Sequence, residues 1–283
     1  MAFAVGPRAT QAGYRVRSYD RLDSTNSEAM RLARDGERGP VWIVTQEQTA
    51  GRGRQGREWQ SFIGNLSASL LITSDLKLSD AATLGFVAGL AVHDACSRSA
   101  PGLPQSLKWP NDLLADGAFS GEVESGSREE NAPKQKTHGK LAGLLLESQN
   151  LNGQLVLVVG IGVNVVAAPE GMGYPAVSLA GLGYPVQADN LFASLTDTFV
   201  KYDSLWDGGR GFADIRRIWL ERAHGVGKSV SIHMGDRIED GIFETLDEQG
   251  CLVLRRPDGT RCTIAAGDVH FGDARTAHPG VST

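Results

Sequence analysis

Seven residues, Gly51-Arg52-Gly53-Arg54-Gln55-Gly56-Arg57, set three guanidinium groups among three glycines. Glycines free the backbone so that its N–H groups can converge on phosphate oxygens, while arginine forks supply charged, bidentate donors. The stretch also matches G-x-G-x-x-G, but a dinucleotide fold needs a strand before that pattern and a helix after it. The strand is expected; the helix is not, because Glu58-Trp59-Gln60-Ser61 opens no amphipathic run. A P-loop needs Lys-Ser/Thr after its last glycine, and Arg57-Glu58 stand there instead. An anion clamp remains.

Three other segments offer polar groups in places that could serve chemistry. Lys108-Trp109-Pro110-Asn111-Asp112 ends a strand at a proline and then presents an amide beside a carboxylate. The amide can read a base or ribose, and the carboxylate can bind Mg²⁺ or take a proton from an amine. Lys140 enters an almost wholly apolar strand, where its ammonium needs an anion, such as a substrate carboxylate or an α-phosphate. Ala142 and Gly143 leave room beside it for a ligand, and Gly160-Ile161-Gly162-Val163-Asn164 ends the neighbouring strand with an open backbone.

The elements that must hold these groups can be read from periodicity. Asp23-Ser24-Thr25-Asn26 precedes a helix over Glu28–Ala33, stopped at Asp35-Gly36, so Ser24–Asn26 form a loop-to-helix corner. Val41–Gln46 and the alternating Leu66, Ala68, Leu70 and Ile72 predict two strands joined by the polar loop Gln48–Trp59. Ser79–Ser97 reads as one helix capped by Ser79, with His93 packed inside it. Leu141–Glu147 and Leu155–Ile161 flank Asn152-Gly153 as paired central strands, and two further helices follow over 190–206 and 212–220.

Beyond Gly225 the texture changes to short strands, Ser229–His233, Gly241–Leu246, Cys251–Arg255 and Arg261–Ala265, the pattern of a β-barrel of about five strands. The expected division is therefore a domain over 1–224 and a barrel over 225–273, with a boundary near Ala223–Gly227. Residues 274–283 are expected to be a disordered tail. Asp116–Gly139, nearly free of apolar residues, is expected to be a mobile loop inserted in the first domain.

With 283 residues, 41% of them apolar, the chain can fill a substantial core. Its net charge of −5 argues against a protein that grips nucleic acid with its whole surface. Cys96, Cys251 and Cys262 lack metal-like spacing and predict free thiols in a reducing compartment. No run reaches the eighteen apolar residues of a membrane span, so no membrane partner is expected and the default location is cytoplasmic.

Taken together and in this order, Asp-Ser-Thr-Asn at 23–26, Gln48 with the Gly/Arg stretch at 51–57, Trp59, Lys-Trp-Pro-Asn-Asp at 108–112, Lys-Leu-Ala-Gly at 140–143 and Gly-Ile-Gly-Val-Asn at 160–164 resemble the biotin protein ligases. The resemblance covers roughly 17–270 and implies an α+β fold. A mixed β-sheet with flanking helices, like that of class II synthetases and lipoate ligases, would be followed by a small C-terminal SH3-like β-barrel. It implies that biotin's carboxylate attacks the α-phosphate of MgATP to give biotinyl-5′-AMP, and that a lysine of a biotin carboxyl carrier protein then takes the biotinyl group.

Carried over by residue, the resemblance assigns biotin contacts to Ser24, Thr25, Asn26, Gln48, Arg52, Gly53, Arg54, Lys140 and Gly143. It assigns ATP contacts to Arg52, Arg54, Arg57, Trp59, Lys108, Asn111 and Asn164. Lys140, Arg54 and Asp112 are the expected catalytic groups, with Asp112 also the candidate for Mg²⁺. Only some two dozen residues precede Asp23, which predicts no helix-turn-helix domain and no DNA binding, and a homodimer is compatible with the reading. The rivals are a lipoate ligase and a non-catalytic ligand or nucleic-acid binder that uses the basic loop.

Overall fold

The computed structural model describes residues 2–117 and 137–271. Along the chain run α1 (Pro7–Gln11), β1 (Arg15–Leu22), α2 (Thr25–Arg34), β2 (Val41–Gln48), β3 (Leu66–Ser74), α3 (Leu78–Ala82), α4 (Leu84–Ser99), β4 (Gln105–Lys108), β5 (Asp112–Gly117), β6 (Thr137–Leu151), β7 (Gln154–Val163), α5 (Ala188–Trp206) and α6 (Phe212–Glu221). These strands form one mixed sheet in the order β1-β2-β3-β7-β6-β5-β4, with β1 and β2 parallel and the other pairs antiparallel. Then β8 (Ser229–Met234), β9 (Arg237–Leu246), β10 (Leu252–Arg255), β11 (Arg261–Ile264) and β12 (Asp268–Phe271) form an antiparallel sheet in the order β11-β10-β9-β8-β12.

Strand alternation decides what each face of the large sheet carries. Trp42 and Val44 of β2, Leu66, Ala68 and Leu70 of β3, and Leu157, Val159 and Ile161 of β7 join α4 and α5 in the main core. On the other face, Val41, Ile43, Leu71, Val156 and Val158 pack under Ala29, Met30 and Ala33 of α2. Further along that face the residues become small or polar, Ser67 and Ser69 on β3 and Gly160 and Gly162 on β7. There the strands' own side chains put no large apolar group on the sheet.

Several elements differ from expectation. The helix over 79–97 is two, α3 and α4, broken at Thr83, whose hydroxyl donates to Asp80 C=O at 2.6 Å and accepts from Trp206 Nε1 at 2.7 Å. Ser79 lies inside α3 and caps neither. Helix α2 starts at Thr25, so Thr25 and Asn26 occupy its first turn. Gln48 ends β2 rather than opening the loop. Asp116, Gly117 and residues 137–139 of the expected mobile loop belong to β5 and β6, while 118–136 and the expected tail 274–283 lie outside the described residues.

Between α6 and β8 the chain runs back along the edge of the large sheet. Leu107 N–H donates to Arg222 C=O at 2.8 Å, and His224 N–H donates to Leu107 C=O at 2.7 Å. Buried Trp109 donates Nε1–H to Gly250 C=O at 3.1 Å, so the turn after β4 is fastened to the second sheet.

Candidate active site

The small-residue stretch of the large sheet, the Gly/Arg loop and β12 enclose a cleft of about 710 Å³. A β-bulge gives the cleft its lysine. Leu113 pairs with Ala142 and Leu114 with Lys140, so Leu141 is the extra residue on β6. Without it, Lys140 would share the core-facing side with Ala142; with it, Lys140 shares the cleft-facing side with Gly143. Its ammonium lies 2.8 Å from Asp112 Oδ1 and 5.6 and 5.4 Å from the ring centroids of Trp59 and Tyr174. Buried Oδ1 nevertheless accepts no hydrogen bond of good geometry, so this contact is an ion pair open to rearrangement.

Glycines shape the floor by letting other side chains lie against the strands. A Cβ on Gly162 would sit 2.4 Å from Trp59 Cε2, one on Gly143 2.9 Å from Trp59 Cζ3, and one on Gly160 2.3 Å from Asn26 Oδ1. The room expected for a ligand beside Gly143 is thus occupied by the Trp59 indole, which becomes a wall of the cleft.

The corner at 23–26 is held from below. Gln48 Oε1 accepts from Thr25 N–H at 2.8 Å and from Thr25 Oγ1 at 3.1 Å, capping a helix whose own N-cap, Ser24, makes no side-chain cap bond. Ser69 Oγ donates to Asn26 Oδ1 at 2.5 Å. Arg31 hydrogen-bonds Asp23 and holds its carboxyl down to about 2, despite the opposing pull of burial.

Each arginine of the loop has a partner in a different part of the fold. Arg52 donates to Glu147 of β6 at 3.0 Å, Arg54 to Asn111 Oδ1 at 3.1 Å, and Arg57 to Asp268 of β12. Asn111 in turn donates Nδ2–H to Leu144 C=O at 2.6 Å. Burial alone would raise the Asp268 carboxyl, but Arg57 outweighs it and keeps the group below its ordinary range. Lys108 is pulled the other way, its pKa lowered first by burial and then by neighbouring Lys140 and Arg57.

Residues 18–164 match the model of the biotin/lipoate A/B protein ligase family, and residues 225–272 match the biotin protein ligase C terminal domain. The chain is 38% identical over 260 residues to a biotin–[acetyl-CoA-carboxylase] ligase of Paracoccus denitrificans, covering 89% of this chain and 98% of that one. A biotin–[acetyl-CoA-carboxylase] ligase of Mycobacterium tuberculosis is 30% identical, with 87% and 85% covered. This chain belongs to the biotin/lipoate A/B protein ligase family.

The family fold is the one expected: a biotin protein ligase from Aquifex aeolicus, solved in complex with biotin and ATP, superposes with a TM-score of 0.68 at 23% identity, covering 90% of this chain and 97% of that chain. A biotin protein ligase from Leishmania major in complex with biotinyl-5-AMP gives 0.57 at 22%, with 89% and 99% covered.

Of the site residues expected from sequence, all but Asn164 line the cleft. Asn164 stands behind Trp59 and Lys140 in a small side pocket, its Nδ2–H donating to Lys140 C=O at 3.4 Å and its buried Oδ1 unpaired. It buttresses the Lys140 backbone rather than facing the cleft. Asp112 Oδ1 lies 2.8 Å from the Lys140 ammonium and is its counter-ion in this structure. Among the described residues no three His, Cys, Asp or Glu side chains converge, so Mg²⁺ at Asp112 would be completed by substrate phosphates and water.

Sequence reasoning missed Glu147, His138, Tyr174, His224 and the β12 residues Asp268, His270 and Phe271, all but Glu147 lining the cleft. Glu147 had only its place at the end of an apolar strand, and His138 fell within the expected loop. The β12 residues are remote in sequence and carry no motif.

Proposed function

We propose that this chain uses ATP to make biotinyl-5′-AMP and then joins the biotinyl group to a lysine of a carrier domain in a biotin-dependent carboxylase. The observation that carries the reading is one cleft in which Lys140 faces three loop arginines across a floor of glycines, beneath a corner of hydroxyl and amide groups. The ureido ring of biotin needs both donors and acceptors, and Ser24, Thr25, Asn26 and Gln48 supply them. Lys140 then lies where biotin's carboxylate meets the α-phosphate. There its charge offsets the repulsion between two anions as the new O–P bond forms and pyrophosphate leaves.

Arg54 and Arg57 are free to exchange Asn111 and Asp268 for phosphate oxygens, and the Trp59 indole covers the adenylate. In the second step the carrier amine attacks the acyl carbon and the C–O bond to phosphate breaks, with AMP as leaving group. No enzyme nucleophile is needed, and Mg²⁺ would be shared between Asp112 and the ATP phosphates. The division near Ala223–Gly227, a homodimer, a cytoplasmic site of action and the lack of a DNA partner belong to the same reading. Three free cysteines, a net charge of −5 and the absence, among the described residues, of a helix able to cross a membrane are in keeping with it.

The test is mass spectrometry of a carrier domain incubated with the enzyme, MgATP and equal biotin and lipoate. One biotinyl addition on a lysine, with biotin-dependent pyrophosphate release, is expected. Lipoyl addition, or ligand binding without pyrophosphate, would overturn the reading.

A further inference from the structure

Glu147 lies on the cleft-facing side of β6 with Gly143 and Leu145, outside every motif of the sequence. Its Oε2 accepts from Asn26 Nδ2 at 2.7 Å and from Arg52 at 3.0 Å. The side chain is 28% exposed, so water competes only partly for these bonds. Asn26 belongs to α2 and Arg52 to the Gly/Arg loop, and among the described residues no hydrogen bond joins the two directly. One carboxylate oxygen therefore ties the corner to the loop's first arginine, beyond the bonds at the loop's entry from Ala50 N–H to Asp23 C=O at 2.8 Å and from Thr25 to Gln48.

Both ends of that link are stiff. Asn26 is fixed by Ser69 and seated on Gly160. Arg52 pairs with Glu58 in an isolated bridge, and Gly53 N–H donates to Arg57 C=O at 2.8 Å, so the loop is folded on itself and moves as a unit. A carboxylate is the side chain suited to this position, since it is acceptor-only and can take two donors at one oxygen. Glutamine's amide oxygen could also take both donors, but without the charge that answers Arg52. Two donors on a charged acceptor also make these hydrogen bonds stronger than neutral ones.

We infer that Glu147 is a positioning residue that ties the biotin-binding corner to the Gly/Arg loop, holding the loop over the cleft while the acyl-adenylate awaits its acceptor. This inference rests on the function proposed above. Glu147 touches no reacting atom; it acts through Arg52 and Asn26.

Glu147→Gln and Glu147→Asp would be compared with the parent enzyme by three measurements: release of biotinyl-AMP in the absence of acceptor, single-turnover pyrophosphate formation, and tryptic cleavage at Arg52, Arg54 and Arg57. Loss of the charge on a partly exposed acceptor predicts about three-fold faster release in E147Q. Loop cleavage should be faster without ligand, pyrophosphate formation should slow by a smaller factor, and E147D should recover part of the retention. Release and cleavage equal to the parent's would overturn the inference, as would equal loss in both chemical steps. Should E147Q fail to fold, Arg52→Gln probes the same bond from the loop, and an unchanged release rate there overturns it too. A parent enzyme that forms no pyrophosphate with biotin would sink the proposed function itself, a result distinguishable from an active parent that E147Q merely matches.

Discussion

At the scale of single residues, the absence of a side chain matters here as much as its presence. Gly162 has no positive φ to justify it; its role is to let Trp59 lie on the sheet. Gly162→Ala would put a methyl 2.4 Å from indole Cε2 and drive the ring out of its place. ATP affinity is expected to fall about ten-fold or more, read by calorimetry, while a thermal melt shows the fold retained, because the indole can swing into the open cleft. Gly85→Ala, where an added Cβ meets nothing within 4 Å, is the control, changing stability by less than about 1 kcal/mol and leaving affinity untouched. Lys140→Ala removes the charge that the bulge at Leu141 brings to the cleft, and adenylate formation should drop by about 10² or more in single turnover. A near-normal rate in that variant would remove Lys140 from the chemistry.

At the scale of elements, the Gly/Arg loop has more partners than its own sequence shows. Glycines and like-charged arginines without internal partners would leave it mobile until ligand arrives. In the structure those arginines reach Glu147 on β6, Asn111 in the turn before β5 and Asp268 on β12, three places far apart in the sequence. Two of these contacts are half-exposed ion pairs, so they are weak and salt-sensitive. Trypsin should therefore cut at Arg52–Arg57 several-fold faster in 0.5 M salt than in 0.05 M, and biotin with ATP should remove most of the difference. Salt-independent cleavage would mean that the loop is held by its backbone alone.

The same physics explains what could be read in advance. Strands β2, β3, β6 and β7 were legible because central strands carry dense apolar runs, and the 152–153 hairpin because Asn152 and Gly153 both take positive φ. Strand β1, Arg-Val-Arg-Ser-Tyr-Asp-Arg-Leu, is an exposed edge without an apolar face and gave no signal. The cleft's motif residues were legible from their order along the chain. The bulge at Leu141, and the walls supplied by Tyr174 and by β12, were not, since they depend on register and on contacts across the fold.

At the scale of the whole molecule, the second sheet completes the cleft instead of trailing behind it, and the seam between the two is built around His224. Its ring packs edge-on between His138 of β6 and Phe271 of β12, with centroids 4.2 and 4.4 Å away, and Nδ1 lies 3.3 Å from Ser106 Oγ. Burial first, then the charge of His138 and Lys228, and of Lys108 on β4, push its pKa down to about 4, against a weaker upward pull from Asp116 on β5. His270 on β12 is shifted in the same direction, chiefly by burial. The unfolded chain would bind a proton at His224 near pH 6.5 that the folded chain refuses until about 4. Stability from this site is therefore complete above pH 6.5 and is lost as the pH falls toward 4, at most about 3 kcal/mol in all. Because the ring fills the seam, the loss should appear first as loosening of β12 and the Arg57–Asp268 contact. Thermal melts between pH 7.5 and 4 should show a steep decline for the parent enzyme and a flatter one for His224→Gln, which gives up some packing at neutral pH but has no proton to gain. Parallel curves for the two proteins would place the acid sensitivity elsewhere.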